Sequence, residues 1–264
     1  AKGVSDGSDL PIRWSETENI MWNTEIPGLG WSSPIVWDDS IYLTSVVSGE
    51  PMEEPQGGLY RGRETWLAST AEHRWLVYAL DVETGAIRWE REVHRGVPGH
   101  GHHLKNTLAS ETPITDGESV FVYFGNVGVF ALDTNGTLQW AYELEGSNTR
   151  LEWGTASSPV LLGDQLFVIN DNDDQSYLLA LSAETGAELW RSNRDEGTNW
   201  STPYIWDNEL RTEIITTGSD RVRSYDLDGD LLWQLSGMSS ISIPTPFAAF
   251  GLLYLSSGYL GDQN

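Results

Sequence analysis

The feature that most constrains this fold is a pattern that occurs four times: a small residue, a short polar turn with glycine, and then a tryptophan. It reads ALSAETGAELW at 180–190, ALDVETGAIRW at 79–89, ALDTNGTLQW at 131–140 and, more loosely, SYDLDGDLLW at 224–233. Two strands joined by a tight glycine turn are typical of a β-hairpin. Four hairpins of one design predict a repeat protein.

A second mark repeats with them, a serine or threonine followed by proline at the head of an apolar strand. The prolines are Pro34, Pro113, Pro159, Pro203 and Pro246. They are 79, 46, 44 and 43 residues apart. A period in the middle forties with four short strands per unit predicts the blade of a β-propeller, which takes about 40 to 50 residues. The longer first interval predicts two insertions, at 47–74 and at 94–106.

These marks divide the chain into blades. Residues 1–13 are expected to be a flexible start, and 14–26 to be the last strand of a closing blade. The remaining units are 27–93, 94–144, 145–192, 193–235 and a partial blade at 236–264. We therefore predict an all-β fold of four-stranded antiparallel blades, about five of them, within a larger ring. A closed five-blade ring is the alternative, but it would leave strand edges exposed.

Composition excludes several classes of function. The chain has 39 acidic and 15 basic residues, for a net charge of −24, which opposes binding to nucleic acid or to anionic lipid. It has no apolar run near the roughly 20 residues of a membrane helix. Without cysteine there is no disulfide, thiol nucleophile or thiolate-bound metal. No G-x-S-x-G, H-E-x-x-H or Walker motif is present.

Strand direction predicts where binding residues gather. Strands alternate in direction within a blade, so the loops after strands two and four share one face, here called the loop face. The loops after strands one and three share the opposite turn face. The irregular segments all fall on the loop face, at 47–74, 94–106, 145–154, 171–176, 193–200 and 219–220. Irregular loops on a repetitive scaffold often carry binding sites.

The histidines point to one of these loops. All five lie between residues 61 and 105, together with seven of the 15 basic side chains. In the segment HGHHLKN, the ligand-binding candidates are His100, His102, His103, Lys105 and Asn106. Imidazoles suit Zn, Cu or Ni, and the lysine suits a carboxylate or a phosphate. A solvated glycine loop is the alternative.

Further candidates lie just before strand one of later blades. Trp153 and Trp200, with Asn199 beside the second, could stack on a planar ligand or pack between blades. Arg150 and Arg211 could bind an anionic group by forked hydrogen bonds. Ion pairing with the many acids is the alternative, and we favour it for Arg223.

The segment NDNDD at 170–174 offers clustered oxygen ligands for calcium. Its candidates are Asn170, Asp171 and Asp173. It lacks the glycine and the closing glutamate of an EF-hand loop. A strand end with turn-forming residues is the alternative that we favour.

The hairpin pattern resembles the tryptophan-docking motif of the quinoprotein-like β-propellers, the PQQ-like repeat family. The residues that carry the resemblance are Trp22, Gly85, Trp89, Gly136, Trp140, Gly186, Trp190, Gly229 and Trp233. It extends over about residues 14–259, and WSETENIMW and FGNVGVFALD are similar to a group of bacterial PQQ-like repeat proteins. It implies a ring of seven or eight blades, in which an N-terminal strand completes the last blade, and a periplasmic or extracellular location.

Two functions follow from this resemblance and the residues. The first is a non-catalytic propeller that binds an unknown protein, glycan or small molecule through its loop face, with no cofactor assigned. The alternative is a PQQ- and calcium-dependent quinoprotein oxidoreductase. Resemblance to the alcohol-dehydrogenase branch would imply an adjacent cysteine pair, a stacking tryptophan, acidic calcium ligands and an aspartate base. The chain has no cysteine, so no catalytic residue can be carried across.

Overall fold

The structure, a computed structural model, describes residues 7–8, 10–51 and 67–257. Within these ranges it has 18 β-strands and one three-residue 3-10 turn, Arg150–Glu152. The strands form four four-stranded antiparallel sheets and one two-stranded hairpin. This confirms the predicted all-β propeller of four-stranded blades. Most of the first predicted insertion, 52–66, and the end of the last predicted unit, 258–264, lie outside the described residues.

Each four-stranded sheet is one blade, with its strands paired in chain order. The first contains β1 (Ile35–Trp37), β2 (Ser40–Ser48), β3 (His73–Asp81) and β4 (Ile87–Gly96). The second contains β5 (Ile114–Thr115), β6 (Ser119–Phe124), β7 (Gly128–Asp133) and β8 (Leu138–Glu143). The third contains β9 (Val160–Leu162), β10 (Gln165–Asn170), β11 (Ser176–Ser182) and β12 (Glu188–Arg194). The fourth contains β13 (Tyr204–Asp207), β14 (Thr212–Thr217), β15 (Arg221–Tyr225) and β16 (Leu231–Ser236), and the final hairpin contains β17 (Phe247–Ala249) and β18 (Leu252–Tyr254).

The segment expected to be a closing strand, 14–26, behaves differently from the blades. Its only pairing among the described residues is the isolated bridge between Ser15 and Glu18. Trp22 nevertheless donates its indole N–H to the Val82 carbonyl at 3.0 Å, in the turn between β3 and β4. This segment therefore contacts the first blade as the fourth strand of a preceding blade would.

The repeated hairpin has one register in all four blades. The small residue of the third strand pairs with the tryptophan of the fourth, and the register shifts at the next residue. The pairs are Ala79–Trp89, Ala131–Trp140, Ala180–Trp190 and Ser224–Trp233. A shift of this kind is a β-bulge, which increases the local twist. The constant spacing in the sequence is therefore the spacing of a bulged cross-strand pair.

The tryptophans cross the seams between blades. The Trp140 indole N–H donates to the Ala183 carbonyl of the next blade at 2.9 Å, and the ring lies over Gly186. That glycine has a φ of +71°, and a Cβ there would stand 2.6 Å from the indole. Only glycine can adopt this positive φ and also leave room for the indole without strain. Trp89 and Trp190 make the same contact with the turns of Gly136 and Gly229.

The hydrophobic core also lies at the seams. Three of the four buried clusters join two neighbouring blades, as Val122 of β6 joins Val77 of β3 in the first. The next cluster joins Phe121 to Leu179, and the third joins Phe167 to Ile214. A blade buries its apolar faces against its neighbours, so the seams supply most of the hydrophobic stabilisation.

The Ser/Thr-Pro mark has a structural role at the same seams. Before three of the five prolines, the hydroxyl accepts the backbone N–H of the equivalent residue in the preceding blade. Ser33 donates to Thr112 Oγ1 at 3.1 Å, Thr112 to Ser158 Oγ at 2.9 Å, and Ser158 to Thr202 Oγ1 at 3.0 Å. This hydroxyl chain links the starts of four blades.

A separate observation concerns membrane spans. Across the described ranges, no helix has the length and apolar character needed to cross a membrane.

Candidate functional site

Three aromatic rings meet in the loops of the loop face. His103 lies edge-on to Trp153, with centroids 5.4 Å apart and planes at 70°. Trp153 packs on Trp200 with centroids 5.9 Å apart. The Trp200 indole N–H donates to the Gly154 carbonyl at 2.8 Å. The Trp153 indole nitrogen is buried and has no hydrogen-bond partner among the described residues. The two tryptophans of neighbouring units thus pack against each other, and stacking on a planar ligand stays a prediction.

The backbone that carries Trp153 is held in an unusual conformation. Leu151 and Glu152 have φ values of +52° and +57°, which few non-glycine residues adopt. Arg150 donates its backbone N–H to Thr198 Oγ1 at 2.9 Å, and Gly154 donates to Thr149 Oγ1 at 2.9 Å. Hydrogen bonds from two blades therefore fix this segment. Strained backbone of this kind is concentrated at functional sites.

Arg150 follows Thr149 at the start of the same segment. Its side chain is partly exposed, and its guanidinium forms no ion pair with any residue that the structure describes. On a protein of net charge −24, a cation without an acidic partner is available to a ligand. We call His103, Arg150, Trp153 and Trp200 the aromatic patch.

The histidine loop, 97–106, is fastened to the next blade. Glu152 accepts the Gly101 N–H at 2.9 Å, and its Oε2 is 3.6 Å from His100 Nδ1. The Asn106 amide donates to the carbonyls of Trp153 and Thr155 at 3.1 and 2.8 Å. Asn106 is therefore a positioning residue for the aromatic patch.

The histidines do not converge on one point. His73 is buried with Nδ1 2.9 Å from the Ala71 carbonyl, and His102 Nδ1 is 2.7 Å from the Asn106 carbonyl. The Lys105 backbone N–H donates to His103 Nδ1 at 3.0 Å. Across the described residues no three His, Asp or Glu side chains are grouped to hold a metal ion. The predicted metal site in this loop is therefore not formed there.

A cavity of about 70 Å³ lies beneath the histidine loop. Its walls include Trp75, His94, His100, Phe124, Asn126 and Thr155. His94 meets Trp75 edge-on at 5.0 Å. Burial lowers the pKa of His94, with a smaller opposing effect from Glu143, so a neutral imidazole is favoured at this wall.

A buried carboxyl group, Glu111, stands behind this cavity. It is 2% exposed and accepts hydrogen bonds from the Thr155 hydroxyl at 2.6 Å and the Gly125 N–H at 3.2 Å. Burial raises the pKa of Glu111 to about 7. Sequence reasoning missed this residue. The available signal was its position two residues before Pro113, where three other repeats have serine: Ser32, Ser157 and Ser201.

The predicted calcium ligands have other partners. Both Asp171 carboxylate oxygens are bound by Arg194, at 2.8 and 3.0 Å, and Asn199 donates to one of them. Asp173 accepts the Thr198 hydroxyl at 2.6 Å. Asn170 is buried and donates to the Gly125 carbonyl at 3.2 Å. Calcium at these residues stays a prediction, and the carboxylate that would anchor it neutralises a buried arginine in this structure.

Two arginines and two acids close to Asp171 form ion pairs, so together they carry no net charge. The pairs are Arg194–Asp171 and Arg223–Glu196. Arg194 is without solvent exposure, and it also donates to Thr216 and to the Tyr225 hydroxyl. Arg223 pairs with Glu196, which confirms the favoured ion-pair interpretation of Arg223. Asn199 is buried and donates to Asp171. It therefore belongs to this network beneath the loop face.

Arg211 lies on the other side of the molecule. It is in the turn between β13 and β14, after the first strand of the fourth blade, which places it on the turn face. Its Nε is 3.2 Å from Glu213 Oε1. Turns after first strands belong to the turn face, opposite the loop that carries Arg150, and anion binding by Arg211 stays a prediction.

A wider groove of about 580 Å³ runs between the outer parts of the second and third blades. Its lining includes Glu143, Glu145, Asp174, Tyr177 and Arg191. The Arg191 guanidinium lies over the Tyr177 ring, 4.3 Å from its centroid. Three carboxylates make this groove unfavourable for an anionic ligand.

Comparison with known proteins gives a consistent result for the fold. The family model described as outer membrane protein assembly factor BamB matches residues 45–174 and 163–258. The crystal structure of BamB from Moraxella catarrhalis aligns over 90% of this chain and 72% of its own, with 17% identity and a TM-score of 0.51. A search of curated proteins finds no match.

Two quinohemoprotein alcohol dehydrogenases are similar in fold over a smaller share of their length. The enzyme from Comamonas testosteroni has a TM-score of 0.52 and 15% identity, covering 86% of this chain and 39% of its own. ADHIIG from Pseudomonas putida HK5 has a TM-score of 0.51 and 14% identity, covering 81% and 35%. The chain thus spans less than half of either enzyme.

The residues present do not fit PQQ with calcium. The cavity of about 70 Å³ is too small for a tricyclic quinone that bears three carboxylates. The larger groove has three carboxylates of its own and would repel that ligand. Asp171, the best placed calcium ligand in the sequence, is held by Arg194. No step of quinone chemistry can be assigned to these residues.

Proposed function

The chain belongs to the family described as outer membrane protein assembly factor BamB, and from this we propose that it is an exported, non-catalytic binding propeller. Its loop face holds a segment of a partner polypeptide. The observation that carries the proposal is the aromatic patch, in which Trp153, Trp200 and His103 pack together. Arg150 lies three residues before Trp153 and makes no ion pair within the described ranges.

The composition of the patch favours a protein partner. Tryptophan and arginine are the residues most enriched among those that dominate binding energy at protein interfaces. They offer large apolar area and a planar charge with fixed geometry. The matching segment has an apolar or aromatic side chain for the two indoles and a carboxylate for Arg150.

The patch is prepared for binding before a partner arrives. Thr198 and Thr149 hold the strained backbone on either side of Leu151 and Glu152. The amide of Asn106 fixes the carbonyl of Trp153. Rigid side chains lose little conformational entropy when a partner binds, so more of the contact energy contributes to affinity.

The test uses displayed random peptides selected against the wild-type protein. Peptides that bind the loop face will lose at least about tenfold in affinity against Trp153→Ala and Arg150→Glu, since hot-spot residues contribute about 2 kcal/mol or more. Arg211→Glu is the matched control, because this arginine is 46% exposed on the turn face. Selected peptides that bind all three variants as they bind wild type would refute the proposal.

A further inference from the structure

We infer that the cavity beneath the histidine loop is a second binding site, for a small primary ammonium group. It is distinct from the aromatic patch and does not depend on a partner segment binding there. Three observations support this class of ligand: the size of the cavity, the residues that line it, and a buried carboxyl group, Glu111, behind one of its walls.

The cavity has the size of a small head group. Its volume of about 70 Å³ is about half that of an engineered cavity of about 150 Å³ that binds benzene. It therefore admits only a few non-hydrogen atoms. Its lining includes Val97 and Gly99, which are exposed to solvent, so a ligand can enter from the loop face.

The walls suit a cation with N–H donors. Trp75 and Phe124 supply aromatic surface, and cations are attracted to the faces of such rings. His94 has a pKa lowered by burial, and a neutral imidazole has one nitrogen that accepts a hydrogen bond. No lysine or arginine is among the residues that line the cavity, so its described walls carry no fixed positive charge to repel the ligand.

Glu111 provides the charge that selects a cation over an anion. It bonds to Thr155 and Gly125, and both of these residues line the cavity. No basic side chain of the described ranges pairs with Glu111. Three equivalent positions have serine, so the carboxyl group is not needed to form a seam. An ammonium group in the cavity would give it a partner charge.

The groups that titrate around Glu111 are few. Tyr123 of β6 interacts with it electrostatically, and Tyr177 and Asp171 of the third blade act on the same phenol. Asp171 is paired with Arg194. Across the cavity are His94 and His100, and Glu152 lies beside the latter. Burial raises the pKa of Glu111 to about 7, so its ionisation is expected to dominate between pH 6 and pH 8.

The experiment is calorimetric titration of the full chain with ethylammonium. Acetate and ethanol are controls of similar size, and Nα-acetyl-lysine amide tests whether a lysine side chain can supply the same group. We expect both amines or one of them to bind, and the controls not to bind. Ethylammonium affinity should rise about tenfold from pH 6 to pH 8, since the ionised fraction of a group with a pKa of about 7 rises by that factor.

Variants separate this site from the aromatic patch. Glu111→Gln should remove the pH dependence, and Val97→Trp at the exposed mouth should abolish binding without disturbing the buried core. Trp153→Ala should leave ethylammonium binding unchanged. The inference is overturned if neither amine binds, if ethanol or acetate binds as tightly, or if Val97→Trp binds as wild type does.

Discussion

Arg194 and Asp171 form a two-point ion pair in which neither side chain has any solvent exposure. Nε lies 2.8 Å from Oδ1, and Nη2 lies 3.0 Å from Oδ2. The pair joins the end of β12 to the loop after β10, and Arg194 continues to Thr216 of the next blade. The charges are thereby neutralised inside the seam between the third and fourth blades.

Replacing one member of this pair is expected to be severe. Arg194→Met should lower the free energy of unfolding by about 3–5 kcal/mol, because it leaves the Asp171 carboxylate buried without an opposite charge. Urea unfolding followed by circular dichroism measures the change. Arg88→Met removes two partly exposed ion pairs, with Asp39 and Asp81, and should lose far less stability. Equal losses in the two variants would show that the buried pair has no special role.

The tryptophan seams predict different results at two glycines of one blade. Gly163→Ala places alanine at a φ of +58° with nothing within 4 Å of the new Cβ, and should cost about 1–2 kcal/mol of stability. Gly186→Ala adds the collision with Trp140, and overpacking of this kind costs about 1–3 kcal/mol more. Thermal unfolding of the two variants compares them directly. A Gly186 variant as stable as the Gly163 variant would contradict the packing described for this seam.

The hydroxyl chain gives a milder prediction. Ser158→Ala removes the acceptor of the Thr112 N–H and should lower the free energy of unfolding by about 1 kcal/mol, the usual value for one hydrogen bond. Ser158→Thr retains the hydroxyl and is the control. Amide exchange at Thr112 should become faster only in the alanine variant, and unchanged exchange would argue against this bond.

Glu111 predicts a dependence of stability on pH. Its pKa is raised from 4.5 to about 7 in the folded protein, so the folded state binds a proton that the unfolded state releases. Stability from this group is complete below about pH 4.5, falls as pH rises to about 7, and then levels off after a loss of about 3 kcal/mol. The difference between wild type and Glu111→Gln across pH 4 to 8 isolates it from the other acids. A constant difference would refute the prediction.

Calcium should have no specific effect on this chain. Asp171 is bound by Arg194, and Asp173 by Thr198. Calcium and magnesium at equal concentration should therefore change the melting temperature equally, through screening of the net negative charge. A shift seen with calcium alone, and lost in Asp173→Asn, would restore the calcium interpretation of residues 170–174.

The fold could be predicted because each blade repeats the same short-range contacts. A bulged pair such as Ala180–Trp190 fixes a spacing within one hairpin, and that spacing is visible in the chain. The seam contacts of Gly186 and of the Ser/Thr-Pro marks recur at the blade period. A spacing that recurs in four blades can therefore be recognised from the sequence alone.

The site was harder to predict because its partners come from different blades. Arg194 lies 23 residues from Asp171 and 22 from Thr216, and nothing in either segment indicates the pairing. Arg211 and Arg150 look alike as candidates in the sequence, but strand order puts their segments on opposite faces. Glu111 resembles an ordinary polar residue until the prolines are aligned, when it stands where other blades have serine.

The hydroxyl chain and the tryptophan contacts also make one blade exchangeable for another. The second and third blades each present a Ser/Thr acceptor and a glycine turn to their predecessor, and an N–H and an indole to their successor. A duplicated blade, or a deleted one, would bring the same groups together at the new junction. Gene duplication could therefore lengthen or shorten such a protein without inventing an interface, while the loops of each copy are free to diverge.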